Sequence, residues 1–189
     1  MYKESIRQFE STQLCAQLKQ LIVPHLMQTK ITKIVAFGRS TLTPFYDIRN
    51  TLRTPLLHAQ HAALEAIRSV WEEHRPSETT ELQIFLRDPQ YCELDKHVAE
   101  IHSMEVVNCS FGHQMGWLQV DESTLVVNLR ACFPIERVSF EITRPASFLC
   151  GDPYKSYSES ISDKPWWSLA LTKMGKMIEV PGLCTSIEE

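Results

Sequence analysis

The residues best suited to proton transfer lie in the stretch SFGHQMGWLQV, Ser110 to Val120. His113 stands there between Gly112 and Gly116 and beside Gln114, in a segment expected as a loop at the carboxyl end of a strand. An imidazole so placed titrates near neutral pH and can give or take a proton. Ser40 and Asp88 follow two other expected strands, so His113, Asp88 and Ser40 would form the catalytic set on one rim of a sheet. The candidate ligand-binding residues around them are Gly38, Arg39, Gln60, Tyr91, Gln114, Trp117, Asn128 and Arg130. Arg39 and Arg130 would hold a carboxylate or a phosphate. Plainer readings stand beside these: a loop histidine is usually just exposed, and Asp88, preceding Pro89, suits turn capping equally well.

Metal and cofactor signals are weak. His58, His61 and Glu65 follow one another at helical spacing and could hold a metal from one helix face. A solvated stripe with a local His61–Glu65 pair is preferred, because no distant ligand is identifiable, so no metal is expected. Gly38-Arg39-Ser40 has one glycine where a dinucleotide fingerprint needs three, and the helix begins well downstream. NAD or FAD in the standard mode is therefore not expected, and no cofactor is assigned. The six cysteines are scattered with no CxxC pair, which reads as reduced structural thiols.

The elements that must position these residues alternate between strand and helix. Ile6 to Met27 reads as one lead-in helix that Pro24 ends or bends. Ile34, Val35, Ala36 and Phe37 form a short apolar run without polar alternation, as in a central parallel strand covered on both faces. A long connection, Thr41 to Arg53, leads to a helix from Thr54-Pro55 to about His74. Further strands are expected at Leu82 to Leu86, Glu105 to Cys109, Thr124 to Leu129 and Ala146 to Cys150. Helices are expected at Glu93 to Ser103, at Pro134 to Thr143, and from Asp163 to about Met177, the last opening on Trp166 and Trp167. This alternation predicts a three-layer Rossmann-like α/β fold with a mainly parallel sheet of about five strands flanked by helices. The expected organisation is a lead-in over 1–30, a core over 31–153, and a loop with a C-terminal helix over 154–189. Ligands in such sheets bind beyond the carboxyl ends of the strands where strand order reverses, which puts Gly38, Arg39 and Ser40 at the mouth.

Composition excludes little. The net charge of −4 gives no global reason to expect nucleic acid. No apolar run is long enough to span a bilayer, and the first residues lack the core of a secretion signal. The reading is intracellular and cytoplasmic, with the nucleus as a second location, and without a membrane partner. No GxSxG elbow, HExxH helix or P-loop is present.

Several pieces in order resemble the sensitivity-to-red-light-reduced-like domain family, in particular its fungal branch. They are KIVAFGRSTL, LLHAQHAALEAI, LQIFLRDPQYCELDKHVAEI, FGHQMGWLQVDESTLVVNL and FEITRPASFLCGDP, spanning roughly Ile31 to Pro153. The family is associated with light signalling and clock regulation in plants and with haem homeostasis in yeast and animals. The resemblance implies a fold and a context rather than a reaction. By motif position it implies roles for Gly38, Ser40, Gln60, Asp88, Pro89, Tyr91 and Asp95. Arg39 departs from the small residue expected after the first-strand glycine, and Asn128 to Cys132 is more polar than the family stretch. Both departures fall at the expected mouth, and there they favour an anionic ligand. No Cys-Pro pair is present, so a haem role would be regulatory rather than by direct binding.

Three functions emerge as expectations. The first is a regulatory or ligand-sensing domain, with an anionic small molecule and a protein as its partners. The second is a small-molecule enzyme of a specialised biosynthetic pathway, in which His113 moves a proton and the arginines hold an anion. The third is a methyltransferase-like protein using S-adenosylmethionine, weakened by the missing glycine-rich turn.

Overall fold

The computed structural model describes residues 2–28, 30–38, 54–74, 81–107, 115–130, 135–151, 169–173 and 176–179. Within them the strands are β1 (Lys33–Gly38), β2 (Gln83–Arg87), β3 (Glu105–Val106), β4 (Thr124–Arg130), β5 (Ser147–Gly151), β6 (Leu169–Lys173) and β7 (Lys176–Glu179). The helices are α1 (Tyr2–Glu10), α2 (Gln13–Gln28), α3 (Thr54–His74), α4 (Glu93–Ile101), α5 (Met115–Leu118) and α6 (Ile135–Ile142). The strands make one sheet in the order β3-β2-β1-β4-β5-β6-β7. The first five are parallel, and β6 and β7 add an antiparallel hairpin to the edge of β5. This is the expected Rossmann-like α/β fold, with its order reversing between β1 and β4.

Side chains alternate across the pleat and feed two cores. Ile34, Ile84, Leu86, Leu125, Val127 and Leu149 face a layer built from α2, α3 and α4, with Phe9 of α1 joining it. Val35, Phe37, Phe85, Val126 and Phe148 face Trp117 of α5 and Ile135 of α6. A strand buried on both sides has no polar face to show, which is why the Ile34–Phe37 run lacks alternation.

Both ends of the chain differ from expectation. The lead-in is two helices rather than one, broken at Ser11 and Thr12. The Thr12 hydroxyl donates to the Phe9 carbonyl (2.6 Å) and accepts the Cys15 N–H (3.1 Å), closing one helix and capping the next. Pro24 does not end α2, which continues to Gln28. Towards the other end, the expected helix through Met177 is replaced by β6 and β7, joined in register from Ala170↔Glu179 to Lys173↔Lys176. Trp166 and Trp167 lie outside the described residues.

Candidate functional site

β1 ends on Gly38, which has φ 145°, a conformation that a side chain would strain. The ladder to β4 is irregular at the same step: Phe37 pairs with Asn128, but Gly38 pairs with Arg130, leaving Leu129 as an extra residue. A bulge of this kind bends the strand and re-aims the residues beyond it. It sits at the carboxyl ends of the two strands between which sheet order reverses, where α/β folds place ligands.

On the α3 side of this point lies a small recess, open to solvent, whose enclosed volume of about 10 Å3 is that of a single water site. Its lining is Ala36, Phe37, Gly38, Gln60, His61, Leu64, Leu86 and Tyr91. Two of these polar residues meet: His61 Nε2 and the Tyr91 hydroxyl share a hydrogen bond of 3.0 Å. Tyr91 is fixed by the turn that carries it. Asp88 Oδ1 accepts the Gln90 N–H (2.8 Å), the Asp88 carbonyl accepts the Tyr91 N–H (3.3 Å), and Asp95 Oδ2 accepts the Cys92 N–H (2.8 Å). Asp88 therefore caps the turn, as its place before Pro89 allows, and Asp95 closes the start of α4.

The histidine face of α3 is not the solvated stripe expected. His58 and His61 are buried, and so is Gln60. His58 Nδ1 bonds the Ser5 hydroxyl of α1 at 3.0 Å. Glu65 does not pair with His61; it meets Arg68 at 3.3 Å and His102 Nδ1 at 3.1 Å. A helical wheel cannot show that α1 and the end of α4 cover this face. No group of histidine, cysteine and acidic residues suited to a metal occurs among the described residues.

On the opposite face of the sheet, Arg87 ends β2 with its guanidinium carbon 5.8 Å from the ring centroids of both Phe37 and Trp117. The two rings are themselves 4.5 Å apart. Trp117, expected in a ligand-binding loop, sits instead on the short helix α5, buried in the second core. Arg87 was missed by the sequence reading, its only signal being a cation at a strand end in register with Phe37.

Of the expected site residues, Gly38, Gln60 and Tyr91 come together, and Asp88 supports them. Asn128 lies in β4 beside Phe37, and the backbone of Arg130 adjoins Gly38. Arg39, Ser40, His113 and Gln114 lie outside the described residues, as does the connection from Thr41 to Arg53.

No protein-family model, curated protein or solved structure matches this chain. Among the described residues no helix is long and apolar enough to cross a membrane.

Proposed function

We propose that the chain is an intracellular, cytoplasmic regulatory or ligand-sensing domain, akin to the sensitivity-to-red-light-reduced-like proteins it resembles in sequence. It would bind a small molecule at the carboxyl end of β1 and pass its state to a protein partner. The observation that carries this reading is the recess itself. It stands at the reversal point of the sheet, where turns and the His61–Tyr91 bond hold polar side chains in its wall. Gln60, His61 and Tyr91 come from two separate elements, α3 and the turn before α4, so an occupant touches both. Arg130 is the ladder partner of Gly38, and Arg39 follows Gly38 in sequence, so the two arginines proposed for an anionic group start from neighbouring strand ends.

Native mass spectrometry of protein purified from its own cells tests the reading. A small molecule released on denaturation is the expected result. An empty chain that shows no thermal shift with any member of a broad metabolite set would overturn it.

A further inference from the structure

The recess at the end of β1 narrows to a space of about 10 Å3, enough for one oxygen atom, and opens to solvent on its other side. A space of that size holds a water when several hydrogen-bonding groups surround it, and it stays dry when hydrocarbon alone lines it. Here the lining is mixed. Ala36, Phe37, Leu64 and Leu86 are apolar, Gln60, His61 and Tyr91 are polar, and Gly38 can contribute only its peptide groups.

The polar groups come from three elements. Gly38 ends β1, Gln60 and His61 belong to α3, and Tyr91 stands in the turn before α4. The 3.0 Å bond between His61 Nε2 and the Tyr91 hydroxyl fixes the phenol oxygen, and the Asp88 carbonyl holds the Tyr91 N–H. These groups are set in place by the chain's own bonds, so they suffer little reordering when an atom settles among them. Among the described residues no acidic, lysine or arginine side chain lines the recess. A charged atom there would lose its hydration with no opposite charge from such a side chain.

We propose that the recess is a subsite for one uncharged oxygen. A water fills it in the free protein and bridges β1, α3 and the turn before α4. A hydroxyl or carbonyl oxygen of a bound molecule takes that water's place, and the rest of the molecule leaves through the open side. This inference rests on the reading of the end of β1 as a ligand site and specifies the atom that enters deepest. An oxygen that reproduces the hydrogen bonds of the water it displaces keeps affinity. A methyl group in the same place would leave the polar walls without a partner and lose it.

The test is a high-resolution crystal structure of the full chain, alone and soaked in methanol, with the Tyr91→Phe variant alongside. The wild type is expected to show one ordered oxygen within hydrogen-bond distance of the Tyr91 hydroxyl, and Tyr91→Phe is expected to lose it. In methanol the oxygen should keep its position and carry a methyl group towards the open side. A wild-type recess without an ordered oxygen would overturn the subsite, and so would an oxygen equally well ordered in Tyr91→Phe. A water that methanol leaves in place would overturn the exchange. The two wild-type structures decide the point even if the variant fails to fold. Native mass spectrometry separates this inference from the reading beneath it. A released molecule with no hydroxyl or carbonyl oxygen overturns the subsite and leaves the ligand site standing. An ordered water in a protein that carries no small molecule and binds none overturns the ligand site, and the exchange falls with it.

Discussion

Gly116 packs directly against the side-chain stem of Arg87: a Cβ on Gly116 would overlap Arg87 Cδ and stand 3.0 Å from Cγ and 3.1 Å from Cβ. Arg87 is in turn laid over Phe37 and Trp117, so its stem cannot withdraw without leaving both rings. Gly116→Ala would gain up to about 1 kcal/mol of helix propensity. Overpacking typically costs about 1–3 kcal/mol, and the contact with Cβ, which is fixed to the strand, decides the sign. We expect a net loss of about 1–2 kcal/mol in urea unfolding. The double variant Gly116→Ala with Arg87→Ala should show a positive coupling, because the second change removes what the first collides with.

Arg68 joins α3 to the end of α4. Its Nη1 donates to the His102 carbonyl (2.6 Å) and its Nη2 to the Ser103 carbonyl (2.9 Å), while Glu65 lies 3.3 Å away. These carbonyls are the orphan acceptors of a helix end, and the charge complements the end of its dipole. Burial raises the Glu65 carboxyl above its ordinary range, and Arg68 and His102 pull it back. Removing Arg68 strips two carbonyls of their donor and leaves Glu65 without its main compensating charge. Arg68→Met should lose about 2–4 kcal/mol at neutral pH. Glu65 binds its proton more readily in the folded chain than in the unfolded one, so part of this loss should be recovered as pH falls into the carboxylate range. Chemical denaturation at neutral pH and at about pH 5 checks both signs.

Ser103 has φ 51°, and it comes after α4 in the position where glycine is usual. Its N–H donates to the Glu100 carbonyl (3.0 Å) and the Met104 N–H to the Ala99 carbonyl (2.9 Å), the paired bonds of a Schellman ending. The geometry is kept although the residue carries a Cβ, at a penalty of about 1 kcal/mol. Ser103→Gly should raise stability by about 0.5–1 kcal/mol, less whatever entropy the glycine returns to the unfolded chain. A Tm shift of about 1–4 °C reads it.

How far the fold was legible depends on where burial arises. Ile34 to Phe37 announced a central strand because one strand's own residues record both of its covered faces. His58 and His61 were misread because their cover comes from α1 and from the turn at Tyr91, and no local period records distant neighbours. The β6–β7 hairpin was misread because Leu169 to Ile178 fits either period, and the Met174-Gly175 break was given too little weight. For the candidate site, Gly38, Gln60 and Tyr91 were named from sequence, and they line one recess. His61 was noticed for its spacing and assigned to the wrong partner.

Asp121 organises the turn before β4. Its Oδ1 accepts the Ser123 N–H (2.9 Å) and hydroxyl (2.7 Å) and the Thr124 hydroxyl (3.0 Å), and its Oδ2 accepts from Lys33 (2.6 Å). Partial burial pushes its carboxyl up, but these bonds, led by Lys33, outweigh it and hold the group at about 2. The folded state therefore binds this proton less readily than the unfolded chain. The stability it contributes is complete above the ordinary aspartate range and is lost as pH falls through about 2. Asp121→Asn should flatten the acid limb of the stability curve between about pH 4 and 2. Because the Asp121 side chain is 51% exposed, solvent screens the pair, and the loss at neutral pH should stay below about 1 kcal/mol.

Lys33 is in register with both Gln83 and Thr124, so β1 is the seam of the sheet and its two neighbours come from very different distances along the chain. During synthesis, β2 and β3 become available before β4 does. Until Thr124–Arg130 emerges, the far side of β1 is an open row of peptide groups beside bare Val35 and Phe37. A nascent chain ending at Val107 should therefore engage chaperones and be cut readily by protease, whereas one extended beyond Gly151 should resist. Placing the first strand at the centre gives the finished protein its crevice and makes the half-built one adhesive.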